Sequence, residues 1–223
     1  MTTPSPASRG TRSQFDRQIR AVQQDVLRMG ALVESSCWLS GQALFEQDLE
    51  AAEQVRTQDK EIDRLYRQIE MDCIGLLALQ APVSQDLRLL SSLLQLIRDL
   101  ERIGDHAKDI GALSIQLFPY PPHPCMAHIK LMFSRCRAML AISLEALVNL
   151  DAQVGLTMKE DDNLVDTDHD TLYRQLVGQP LQGDSVEPIV LLVLIIRYLE
   201  RIADHCTNIG NRVVYIVTGE RHH

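Results

Sequence analysis

Aromatic residues are scarce in this sequence, at 4% of 223 positions. The apolar content of 45% is carried mostly by Leu, Ile, Val and Ala. A β-sandwich draws on β-branched and aromatic residues, so this balance favours packed helices. A cysteine framework is lacking too. Cys37, Cys73, Cys125, Cys136 and Cys206 are odd in number, widely spaced and never in a CxxC. That argues against disulfide scaffolds and zinc fingers and points to a reducing, cytoplasmic setting. A membrane span needs about 20 apolar residues. The longest such run here, "PIVLLVLIIRYLE", is broken by Arg197, so no membrane insertion is expected. The opening "MTTPSPASRGTRSQ" lacks the apolar core of a secretory signal. Basic residues are also in deficit, 22 against 30 acidic, for a net charge of −8. Direct nucleic-acid binding requires Lys and Arg to neutralise phosphates and is not expected. Cations and basic protein surfaces remain compatible. Nucleotide loops and GxSxG elbows are absent, and the chain is expected not to be an enzyme.

What is present is helical periodicity, given twice. Residues 1–12 are rich in Ser, Thr, Pro and Gly and read as a disordered tail. From Ser13, apolar residues recur at three- and four-residue spacing, as in Phe15, Ile19, Val22, Val26 and Met29. A first helix runs to about Asp48 and a second from Leu49 to Leu79. After the break "QAPVS", capped by Ser84, a third helix runs to Leu117. Then "FPYPPHP", residues 118–124, places four prolines in seven positions and is the strongest linker. Three more helices follow, over about 126–149, 151–177 and 186–217, with "GQPLQGDS" as a loop before the last. The chain therefore divides into repeat 13–117, linker 118–124 and repeat 125–220. The predicted fold is all-α, two tandem three-helix bundles with pseudo-twofold symmetry.

Two segments carry the duplication. "LERIGDHAKDIG" at 100–111 returns as "LERIADHCTNIG" at 199–210, an offset of 99 (199 − 100). "DKEIDRLYRQI" at 59–69 matches "DTDHDTLYRQL" at 166–176, an offset of 107 (166 − 59). The first falls on the last helix of each repeat and the second on the middle helix. Residues four apart share a helix face. Glu101 and Asp105 therefore point the same way, as do Glu200 and Asp204, Asp59 and Asp63, and Asp166 and Asp170. Like charges at this spacing weaken a helix by a few tenths of a kcal/mol, roughly, per pair. Arginines or metal cations can offset that repulsion, and Arg98, Arg102, Arg197 and Arg201 lie within a turn. At about 100° per residue, the acids stand at the rim of the apolar face and not at its centre. If the middle helix lies alongside, its Asp pair faces the Glu–Asp pair. Oxygen donors without thiolates suit iron, manganese, magnesium or calcium, and neighbouring His106 and His205 would also admit zinc. A lone His beside a core is more often a packing residue.

The two ERIGDH-type motifs, with "SQDLRLL" at 84–90 and the closing "NRVVYIVTGE" at 211–220, resemble the PhoU family. The resemblance covers about residues 13–220. It implies metal ions, often multinuclear, on E/DxxxD motifs at the bundle surface. Carried over, Glu101, Asp105, Glu200 and Asp204 match the last-helix motif, and Asp59, Asp63, Asp166 and Asp170 the middle-helix motif. Asp162, one turn before Asp166, leaves two registers open for the second set. Asp109 is replaced by Asn208, so the two sites need not bind equally. The resemblance implies iron or zinc foremost, with magnesium, manganese or calcium as options. It further implies a homodimeric negative regulator of phosphate uptake and of the phosphate-starvation response. Such a protein links the ATPase of a phosphate ABC transporter to a sensor histidine kinase. The alternative class is a carboxylate-bridged metal enzyme of ferritin type, which sets Glu-x-x-His inside the bundle. Here Glu101 and His106 are five apart (106 − 101).

Overall fold

The computed structural model describes residues 6–80, 82, 84–178 and 185–220. Six helices account for nearly all of them: α1 Pro6–Glu46, α2 Leu49–Gln80, α3 Ser84–Leu117, α4 Met126–Asn149, α5 Ala152–Gly178 and α6 Glu187–Thr218. No strand occurs among the described residues. The expected tail is corrected in part, because α1 begins at Pro6 and takes in residues 6–12. Residues 1–5, most of the loop after α5 and the capping side chain expected of Ser84 lie outside the described residues.

Matching turns join the first two helices of each half. Gln47 and Leu150 adopt the left-handed conformation, with φ of 56° and 51°. A residue in that conformation ends a helix by turning the chain away. The following aspartates cap the next helix. Asp48 Oδ1 accepts from the Ala51 amide at 3.0 Å, and Asp151 Oδ1 from the Gln153 amide at 2.9 Å.

Each half closes as a three-helix bundle, α1–α3 and α4–α6, and the two meet through α3 on α6 and α1 on α4. One apolar core runs through both, with Leu96, Ile97, Leu100 and Ile103 of α3 and Ile195, Ile196, Leu199 and Ile202 of α6 buried. α4 seats on α1 where Gly41 leaves room for Phe133. A Cβ at Gly41 would stand 2.7 Å from that ring.

Burial fixes the internal register. The buried positions of α2, including Ala52, Val55, Ile62, Leu65, Ile69 and Cys73, correspond to Gly155, Met158, Val165, Asp168, Leu172 and Leu176 of α5. That is an offset of 103 (155 − 52). α3 and α6 keep the expected 99, as Leu100 and Leu199 show. The offset of 107 expected for the middle helices is therefore wrong by one turn. The repeated Leu-Tyr-Arg-Gln is one turn out of phase with the fold, because what a helix position buries is decided by its neighbours and not by local identity.

Candidate functional site

The first carboxylate group lies along the seam of α2 and α3. Asp59 and Asp105 both accept from the Lys108 ammonium, at 2.9 and 2.8 Å. Arg102 reaches Glu101 and Asp105 more loosely, at 3.5 Å each. Glu101 has a raised pKa. Burial is the main cause, followed by the charge of Asp105, with Asp63 adding to it against Arg102. The closeness of Asp105 thus favours the protonated form of Glu101. Lys108 has its pKa raised, because the hydrogen bonds to Asp105 and Asp59 together outweigh the burial that opposes them. All four sequence-predicted acids of this half are brought to one seam.

In the second half the register shift changes the membership. Asp204 is raised by burial and then by Asp162 and Asp166, although its outer edge is exposed. Glu200 is raised by burial and by Asp204 and Asp166, against Arg197, which forms an ion pair with it. Asp162 and Asp166 thus stand where Asp59 and Asp63 stand in the first half. Asp170, expected in this group, is corrected. Its side chain is 73% exposed, and its neighbour is His169 at 3.5 Å. Asp162 is buried and accepts from Lys159 at 2.6 Å, while its second oxygen has no partner. His169 takes the place of Tyr66 by the same offset (169 − 66 = 103) and, after Arg197, partly opposes the rise at Glu200.

These patches are crowded, all-oxygen and partly desolvated, which is donor chemistry suited to a hard cation. As the side chains stand, no three His, Cys, Asp or Glu among the described residues converge on a point that holds a metal ion. In the first half the Lys108 ammonium occupies the gap between Asp59 and Asp105. A metal ion there has to displace an internal cation. The ferritin-type alternative needs donors in the bundle interior; Ile62, Leu65, Ile97 and Leu100 fill that of the first bundle, and the buried carboxylates of the second, Asp162 and Asp168, are held by Lys159 and by Arg135 with His128.

The PhoU domain family matches residues 26–113 and 129–213, one match per bundle. The chain belongs to the PhoU family. It is 54% identical over 210 residues to the Synechocystis "Phosphate-specific transport system accessory protein PhoU homolog", covering 94% of each. A Pseudomonas aeruginosa homologue of that name is 33% identical over 208 residues, covering 92% of this chain and 86% of its own. Among solved structures, PhoU from Pseudomonas aeruginosa superposes with a TM-score of 0.89 at 32% identity, covering 92% of this chain and all of that one. The phosphate transport system regulatory protein PhoU from Streptococcus pneumoniae gives 0.85 at 30% identity, covering 94% and 99%. A PhoU-like protein from Shewanella oneidensis, at 18% identity and TM-score 0.65, shares the fold.

In this PhoU chain the histidines of the motif leave the carboxylate rim. α3 and α6 cross antiparallel, and their contacts are related by the pseudo-twofold. His205 Nδ1 meets Asp99 Oδ1 at 2.9 Å, and the Asn208 amide donates to the same oxygen at 3.3 Å. At the mirrored positions Tyr198 stacks on His106 at 5.3 Å and hydrogen-bonds Asp109. The two histidine rings lie 5.8 Å apart. Sequence reasoning set His106 and His205 beside the acids because the wheel placed them on that side. It had no signal that a second bundle would cover the same arc. The five cysteines are buried and free, and burial pushes Cys37 and Cys73 up to about 12, so these two stay neutral thiols.

His106 yields a test of the seam. Neither of its nitrogens has a hydrogen-bond partner among the described residues. Burial, then the His205 and Arg201 charges, push its pKa down from 6.5 to about 4. A base kept neutral in the fold but protonated in the unfolded chain makes unfolding more favourable as acid is added. Its contribution is complete above 6.5 and is lost as pH falls to about 4. His106→Phe keeps the stack and removes the titration. The wild type is expected to lose more stability than this variant across that window, and imidazole NMR should find His106 neutral within it. Parallel stability curves, or a His106 titration at the ordinary histidine value, would contradict this account.

Proposed function

We propose that this chain is a non-enzymatic regulator of phosphate transport whose two carboxylate patches bind metal ions. In this reading it links a phosphate ABC transporter ATPase to a sensor histidine kinase, acts as a negative regulator of the phosphate-starvation response, and works as a homodimer in the cytoplasm. The observation that carries the metal reading is the recurrence of the acids at one register in both halves. Asp59, Asp63, Glu101 and Asp105 recur as Asp162, Asp166, Glu200 and Asp204. The regulatory reading rests on full-length similarity to proteins named as phosphate-transport accessory proteins. No helix among the described residues is long and apolar enough to cross a membrane. Iron and zinc lead the metals to test, followed by manganese, magnesium and calcium.

Tag-free protein is expected to bind metal at both patches, with competition from the Lys108 ammonium at the first. Glu101→Ala with Asp105→Ala should remove about half of the bound metal. Lys108→Met takes away the internal cation and should tighten binding at the first patch by about tenfold, roughly 1.4 kcal/mol. Metal analysis and calorimetry of each variant check this. Protein that takes up none of these metals, with wild-type and Lys108→Met alike, overturns the metal reading. The adaptor reading fails separately if phosphate-replete pull-downs recover neither the transporter ATPase nor the kinase. Sedimentation at micromolar concentration checks the dimer.

A further inference from the structure

Beside the α3–α6 seam, and bordering the first carboxylate patch at Arg102, lies a polar groove of about 740 Å³. Arg98, Arg102, Arg201 and Arg212 line it, together with His106 and His205. Asp99 and Glu70 share the lining, so the four arginines leave it net positive. Arg102 leans on Glu101 and Asp105, but among the described residues Arg98, Arg201 and Arg212 have no ion pair within 4 Å. Arg197, one repeat on from Arg98 (197 − 98 = 99), shows the contrast, since it is bound to Glu200. The groove's carboxylates are already engaged. Asp99 is held by His205 and Asn208, and Glu70 accepts from the Tyr66 hydroxyl at 3.3 Å. Among the described residues, two of the groove's groups also have buried nitrogens without a hydrogen-bond partner. His106, 9% exposed, has both nitrogens unpaired, and Arg212 has its Nε buried and unpaired.

We infer that this groove binds a phosphate-class oxyanion. Several unpaired guanidiniums around one hollow give a forked donor array that fits tetrahedral oxyanions of two or more charges. With Asp99 and Glu70 also in the lining, the excess of arginine charge matches a dianion better than a monocarboxylate. The groove is wide enough for a single phosphate ion or for the phosphoryl groups of a larger metabolite. Arg98 and Arg201 are exposed, so their guanidiniums are free to close on the anion. This site uses none of the eight proposed metal ligands and does not depend on the metal reading.

The test uses the full chain, dialysed into chloride buffer with EDTA so that no divalent ion bridges the anion to a carboxylate. Orthophosphate, pyrophosphate and ATP are titrated by calorimetry, with acetate and potassium chloride at matched ionic strength as controls. Saturable binding of at least one phosphate compound, well above acetate, is the expected result. Arg98→Ala or Arg201→Ala should each weaken it by about tenfold, and the double variant by about a hundredfold. Arg64→Ala, whose arginine pairs with Glu61 on an exposed face of α2, should leave it unchanged. Circular dichroism verifies folding, and Arg98→Lys with Arg201→Lys keeps the charge while losing the fork if the alanine pair is unstable. Saturation by orthophosphate identifies a free-ion site, and saturation by pyrophosphate or ATP alone identifies a phosphorylated metabolite. No saturable binding, equal displacement by chloride, or full affinity in the double variants overturns the inference.

Discussion

Arg135→Leu is expected to destabilise the protein by about 3 kcal/mol, and adding Asp168→Leu should recover most of that loss. Asp168 is buried on α5 and accepts from Arg135 at 2.5 Å and pairs with His128 Nε2 at 3.1 Å. The first half solves the same positions with apolar side chains, Leu32 for Arg135 (135 − 32 = 103) and Leu65 for Asp168 (168 − 65 = 103). Removing the arginine leaves a buried carboxylate with only a histidine to face it. Replacing both partners restores the packing that the first half already uses, and isosteric apolar replacement of a buried pair is commonly neutral or stabilising. For a chain of this length, the single variant should lower Tm by about 6–12 °C. Asp168→Leu alone is the gentler single change, because the Arg135 side chain is 35% exposed and reaches water. Thermal and urea unfolding of the three variants check the order. A double variant as unstable as Arg135→Leu would show that the pair specifies the second bundle and not merely fills it.

Gly155→Ala and Gly111→Ala should move stability in opposite directions. α5 and α6 approach so closely that a Cβ on Gly155 would stand 2.6 Å from the Gly210 carbonyl oxygen and 2.7 Å from Val214. A backbone oxygen cannot rotate aside, so the helices must part, at a cost of about 3 kcal/mol. The first half has Ala52 at the matching position, opposite Gly111, which corresponds to Gly210 (210 − 111 = 99). There a Cβ on Gly111 would meet Ala52 at 3.8 Å, an ordinary contact. Alanine in a helix interior is favoured over glycine by roughly 0.5–1 kcal/mol. Gly111→Ala should therefore raise Tm slightly while Gly155→Ala lowers it by several degrees. Equal effects in calorimetry would mean that the two bundles are packed alike.

Much of the site was legible because its acids sit in motifs that recur. The rim position of Glu101, Asp105 and Glu200 follows from the wheel, and their side chains are 22%, 26% and 15% exposed. Lys108 was missed although it lies three residues after Asp105, because a lysine beside an acid is ordinary on a helix surface. Only the position of Asp59 on a neighbouring helix makes it a clamp. The Arg135–Asp168 pair was also missed, since polar residues on α4 and α5 read as solvent-facing until packing encloses them.

The sequence by itself determined six helices, their order, the tandem repeat and the seam on which the first four acids meet. Those follow from apolar periodicity, prolines and helical spacing, which are local properties of the chain. Tertiary structure alone decided the phase of the second repeat. It exchanged Asp170 for Asp162, because burial against α6 selects one turn of α5 over the next, whatever the sequence identity suggests. It also moved His106 and His205 from the metal rim to the seam between bundles. A helical wheel shows which residues share a face, and only the neighbouring helix decides what that face meets.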